Sequence, residues 1–149
     1  MIRMIAGVVV GYLVMAVLIF GSLTAAYLAL GTDRVFAPGS YNVSELWLAV
    51  NIILSTLAAV IGCTVAAVVA GRSKAALVLC GVMLVLGLAM AVGQMASPRP
   101  DPGPRDGAVA NLDAMMKARQ PTWYMFAIPI IGGVAAVATE RVLRKKLGK

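Results

Sequence analysis

Along most of this chain apolar positions do not alternate with polar ones but run together. Four stretches are nearly uninterrupted: residues 4–30, 46–70, 75–96 and 122–138. An α-helix rises about 1.5 Å per residue, so roughly 20 apolar residues cross a hydrocarbon core about 30 Å thick. The pattern therefore predicts four membrane spans in a single membrane domain covering residues 1–149. The fourth is the shortest and contains Pro129, but aromatic residues precede it and a basic cluster follows, as the flanks of a span should. The first resembles a secretory signal in being preceded by Arg3 and in the small residues Thr24, Ala25 and Ala26 near its end. A signal core is about 7–15 residues, and this run is far longer with three more behind it, so it reads as a retained span.

Where the apolar pattern stops, it stops sharply. The stretch ASPRPDPGPRDG (96–107) carries proline at positions 98, 100, 102 and 104. Such backbone favours neither helix nor sheet and is tolerated only outside lipid, which makes 97–120 the outer loop between spans three and four. In its second half, Val109, Leu112, Met115 and Met116 fall near one helical face, and Asp113 stands four residues before Lys117. These spacings predict a short amphipathic helix on the outer membrane surface, with an Asp113–Lys117 pair, ending where Pro121 opens the last span.

The first outer loop holds YNVSELW (41–47). Asn42 is expected to cap the helix, Glu45 to return the capping-box bond from the third helical position, and Tyr41 with Leu46 to form the hydrophobic staple. The same residues spell a glycosylation sequon at Asn42 and offer Glu45 as a lone carboxylate. Capping accounts for all of them together and is preferred.

Charge then sets an orientation. Of 13 Lys and Arg, eight fall at Arg3, in the turn at Arg72 and Lys74, and in the tail at Arg141, Arg144, Lys145, Lys146 and Lys149. Five of the six acids accompany the remaining basic residues in the other two loops, which leaves one side at about +7 and the other near zero. Basic loops resist translocation, so both termini are expected in the cytoplasm. A net charge of +7 also raises nucleic acid as a partner. With the charge confined to one membrane face and no aromatic-basic groove, anionic lipid headgroups are the expected partner instead. Tyr27, Phe36, Tyr41, Trp47, Trp123, Tyr124 and Phe126 lie toward the outer ends of the spans and are expected to be interfacial anchors.

Lipid offers no hydrophobic gain for helix association, so small residues and a few polar bonds must hold the spans together. Gly7 and Gly11 stand at GxxxG spacing on span one, continued by Gly21 and Ala25. Gly62 lies on a face with Asn51, Ser55, Ala59 and Ala66. Gly87 shares a face with Cys80, Ala91 and Gln94, and Gly132 with Gly133, Pro129 and Ala136. Four such faces predict a compact antiparallel bundle.

Asn51, Ser55 and Gln94 are the polar residues of interest within the spans. Their first reading is helix glue, Asn51 pairing with Gln94; the second is a polar pocket opening outward. No charged residue or histidine lies mid-span, which argues against an ion-coupled transporter, and the chain has no histidine to ligate haem or zinc. Cys63 and Cys80 flank the inner turn without a CxxC motif or a nearby base and read as packing cysteines. The outer methionines Met90, Met95, Met115, Met116 and Met125 form no MxxM array and read as apolar filler rather than a copper site. No metal or cofactor is expected.

The segments GTDRVFAPGSYNVSELWL and NLDAMMKARQPTWYMFAIPIIGG resemble those of uncharacterised small four-span bacterial inner-membrane proteins. That resemblance implies the topology and a bacterial inner-membrane location, and no activity. The expected fold is an all-α integral membrane protein, a four-transmembrane-helix antiparallel bundle with a short amphipathic outer-surface helix. The expected role is a non-catalytic accessory or scaffolding subunit that contacts itself or another membrane protein through its helices. The alternatives are a small-molecule or lipid binding or transport protein, and a membrane thiol enzyme using Cys63 and Cys80.

Overall fold

A computed structural model describes residues 1–96 and 101–147. Among them the helices are α1 (Ile2–Leu30), α2 (Thr32–Val35), α3 (Glu45–Ala70), α4 (Lys74–Ala96), α5 (Asn111–Lys117) and α6 (Thr122–Leu147). The long helices α1, α3, α4 and α6 are each long and apolar enough to cross a membrane. The protein is a multi-pass, all-α membrane protein built on a four-helix bundle. Helix α6 continues past position 138 to Leu147, and its last turn carries Arg144, Lys145 and Lys146, which suit the negative end of the helix dipole. Ser97, Pro98, Arg99 and Pro100 of the proline-rich stretch, and Lys149 of the basic tail, lie outside the described residues.

The start of α3 differs from the sequence expectation. Its cap is Ser44, whose Oγ accepts from the Trp47 N–H at 3.1 Å and donates to the Arg34 carbonyl at 2.6 Å. Asn42 is held in extended backbone instead. Its carbonyl accepts from the Ala37 N–H at 2.8 Å, its N–H donates to Ser40 Oγ at 3.0 Å, and it bridges to Arg119. The helix therefore begins two residues later than an Asn42 cap would require, and Glu45 becomes an exposed first-turn acid rather than the return arm of a capping box. The staple shifts with it: Val43 and Leu48 are buried in one cluster, while Leu46 is 48% exposed. At the other end Gly71 takes a left-handed conformation (φ 66°), and the Arg72 N–H reaches back to the Ala67 carbonyl at 3.1 Å. This Schellman-type stop folds α4 back against α3.

Helices α1 and α3 run antiparallel along a seam of direct backbone contact. A Cβ added at Gly7 would lie 2.6 Å from the Ala66 carbonyl oxygen, and one at Gly11 would lie 2.6 Å from that of Gly62. At Gly62 it would meet Met15 Cβ at 2.8 Å. The α4–α6 pair packs differently, with the Pro129 ring 2.7 Å from where a Gly87 Cβ would be and Leu84 against Gly133. Two expected contacts are absent: nothing lies within 4 Å of a Cβ at Gly21 or Gly132. Gly21 faces outward, and Gly132 borders open space inside the bundle.

The helices follow the ring order α1–α3–α6–α4. The α1–α3 edge is the most extensive and the α4–α1 edge the sparsest. Across the ring α3 meets α4, whereas α1 and α6 do not touch among the described residues. At the basic end, Ser73 and Glu140 are both buried, and Ser73 Oγ donates to Glu140 Oε1 at 3.1 Å, tying α6 to the α3–α4 turn.

The opposite end carries a second core. Tyr27, Phe36, Tyr41, Trp47 and Tyr124 are buried in it, so five of the seven aromatics expected as membrane anchors instead pack on one another. Trp123 does stand exposed. The loop after residue 100 is fastened to this core. Buried Arg105 bonds Asp33 Oδ1 at 3.1 Å and the Gly107 carbonyl at 2.8 Å, and Tyr27 Oη donates to the Val109 carbonyl at 2.6 Å. The amphipathic segment forms α5 with Ala114 inward and Leu112, Met115 and Met116 exposed. Lys117 Nζ lies 5.5 Å from the centre of the Tyr41 ring rather than on Asp113.

Candidate functional site

Between the spanning helices lies a cavity of about 330 Å3. Its apolar wall comes from all four helices, with Met15 and Ile19 on α1, Ala59 on α3, Leu79 and Met83 on α4, and Ile128 and Pro129 on α6. Cys63 and Cys80 lie at its inner part. Its polar wall holds Asn51, Ser55, Gln94, Gln120 and Tyr124. The three polar residues picked out from the sequence therefore line one space, and no Asp, Glu, Lys or Arg joins them there.

The expected Asn51–Gln94 pair is not made. Ser55 Oγ donates to Asn51 Oδ1 at 3.1 Å, one turn along the same helix, which leaves the Asn51 amide N–H groups without a partner among the described residues. The side-chain amides of Gln94 and Gln120 also have none. Tyr124 is only 2% exposed, and its hydroxyl is a buried polar group with no hydrogen-bond partner. Buried polar groups are nearly always paired, because an unpaired one in an apolar setting costs about 1–3 kcal/mol. Tyr124 Oη is such a group, and it stands with the half-buried amides of Asn51, Gln94 and Gln120 around the same hollow, which is a feature to explain. Pro129, which has no N–H to donate to the carbonyl of Met125 four residues earlier, lines the cavity together with Met125. Toward the end opposite the basic tail, Gln94, Gln120 and Met125 border a second hollow shared with Asp101, Lys117 and Arg119.

Tyr124 and Gln120 were not singled out from the sequence. Tyr124 stands beside Trp123 at the mouth of a span, where a tyrosine reads as an interfacial anchor. A usable signal was its spacing: 124, 128, 132 and 136 recur every fourth residue on the face that carries Gly132 and Ala136.

The two thiols engage separate carbonyls. Cys63 Sγ donates to Ala76 O at 3.9 Å, and Cys80 Sγ to Gly133 O at 3.7 Å. Both cysteines are free. Met90 and Met125 line the cavity, Met95, Met116 and Met125 border the second hollow, and Met115 stands exposed on α5.

The site thus belongs to a four-helix membrane bundle with a mostly apolar internal cavity and unpaired polar groups toward one end. No family model matches the chain, and no curated protein or solved structure matches it.

Proposed function

We propose that this is a non-catalytic bacterial inner-membrane protein, with both termini in the cytoplasm, that holds a small lipophilic molecule or lipid within its bundle. The observation that carries the reading is the cavity, with Tyr124 among its lining residues and the Tyr124 hydroxyl buried without a partner. A concave, largely apolar space with a few convergent polar groups is the usual form of a small-molecule site. The accessory-subunit reading drew its support from the small-residue faces. Gly7, Gly11, Gly62, Gly87 and Gly133 are now engaged inside the chain, which removes them from the surface offered to another protein. The orientation rests on the basic residues, with Arg3, Arg72, Lys74 and the α6 tail at one end of the bundle.

Mass spectrometry of what leaves the native membrane with the protein in mild detergent tests this reading. A small molecule present at about one per chain, and absent from Gly132→Leu, supports it. A stoichiometric larger protein bound to a chain with an empty cavity restores the accessory role in its place. For orientation, single cysteines at exposed positions 106 and 146 in a cysteine-free background should label from outside at 106 only.

A further inference from the structure

Building on the cavity-binding reading, we infer that the occupant is an uncharged amphiphile: a hydrogen-bond-accepting, carbonyl-bearing head on a single apolar chain, with the head against Tyr124 and Asn51. The charge follows from the wall. Among the lining residues there is no Asp, Glu, Lys or Arg, and in a low-dielectric interior a charged head without a counter-charge would be strongly disfavoured. The head chemistry follows from the unmatched groups. The Tyr124 hydroxyl is unpartnered, and the Ser55 bond occupies Asn51 Oδ1 while leaving its N–H groups to donate. A carbonyl oxygen accepts from both types of donor.

Size limits the rest. A cavity of about 330 Å3 lies at the small end of the range for small-molecule sites, about 300–1,000 Å3, and suits a ring or a stretch of a single chain. Met90, which is 67% exposed, lines the cavity on α4, whose edge with α1 is the sparsest in the bundle. Two common sources share this chemistry, single-chain glycerides and substituted quinones.

The test uses the purified full-length chain in mild detergent, titrated separately with monoolein, decylubiquinone, oleate at alkaline pH and dodecyltrimethylammonium. Bound probe is read by native mass spectrometry and stability by thermal unfolding. Monoolein or decylubiquinone should saturate at one per chain and raise Tm, with the charged probes at least about tenfold weaker, since an unpaired charge must lose its hydration to enter. Saturation by monoolein alone identifies a glyceride source, and by decylubiquinone alone a quinone source. Tyr124→Phe, which keeps the ring, should weaken the neutral probe about fivefold, the effect of one lost hydrogen bond, with the ligand-free Tm nearly unchanged. Asn51→Leu is the second variant and should weaken it in the same direction.

Tighter binding of oleate or dodecyltrimethylammonium than of either neutral probe would overturn the inferred head chemistry and leave the cavity reading standing. Neutral binding that neither Tyr124→Phe nor Asn51→Leu alters would overturn the placement of the head. If no probe binds and Gly132→Leu raises Tm without displacing anything, the cavity is packing space and both readings fall.

Discussion

The α1–α3 seam and the α3–α4–α6 side of the bundle are made from similar residues and end in opposite states. Both have glycines at regular spacing, yet on the seam Gly7, Gly11 and Gly62 bring helix backbones into contact. On α6, Gly132 meets nothing within 4 Å of an added Cβ and opens on a cavity with unpaired polar groups. Part of the difference is Pro129. Its ring occupies the place of the missing Gly87 side chain, so α4 and α6 are kept apart by a side chain where α1 and α3 meet through backbone. A small residue permits close approach in a membrane; what stands opposite decides whether approach occurs.

The sharpest way to break this contrast is at Gly62. A valine there would place Cβ against both Met15 and the Gly11 carbonyl, 2.8 and 2.9 Å away, with no flexible side-chain end to yield. Gly62→Val should destabilise the bundle by about 3 kcal/mol or more, the upper range of overpacking, and is checked by thermal unfolding in detergent. A Tm within a degree or two of the parent would mean the seam is looser than its contacts indicate.

Gly132→Leu should act with the opposite sign. Filling the cavity buries a side chain in unoccupied space and should stabilise the ligand-free protein by about 1 kcal/mol while expelling any bound molecule, seen as a raised Tm and a lost co-purifying mass. Strong destabilisation would show that the cavity is smaller than its outline.

The start of α3 offers a contrast of similar size between two neighbouring polar residues. Ser44→Ala removes the α3 cap and should lower stability by about 1 kcal/mol, whereas Asn42→Ala, which leaves the backbone bridges in place, should stay within about 0.5 kcal/mol. A reversal of that order would return the cap to Asn42.

The smallest effect belongs to Gly21, which shares the spacing of the seam but has open space beside it. Gly21→Ala should be neutral or stabilise by a few tenths of a kcal/mol through helix propensity alone. Marked destabilisation there would reveal a helix contact outside this chain and would favour an accessory role.

Much of the architecture was legible before any packing was known. Four spans follow from four apolar runs, because partition into lipid depends on local hydropathy and length. The turn at Arg72 and Lys74 and the entry of α6 after Pro121 are equally local. The cap was half legible: a polar residue does close the start of α3. A local bond from Ala37 and a long-range bridge to Arg119 fix Asn42 in extended backbone, and so move the cap to Ser44. The aromatics were the clearest misreading. Tyr27, Tyr41 and Trp47 have the sequence positions of interfacial anchors, and only the folded loops over them make a core instead.

What the sequence by itself determined is the number of spans, their turns, the basic end and the polar residues available inside. The tertiary structure decided the ring order α1–α3–α6–α4, which glycines touch, and that Asn51, Gln94 and Tyr124 border one cavity rather than bond to one another. The physical reason is the solvent. Lipid tails are as apolar as leucine, so hydropathy places a helix in the membrane and is nearly silent about which of its faces meets a neighbour. That choice rests on shape and on the few polar groups left to pair, which exist only once the helices are packed.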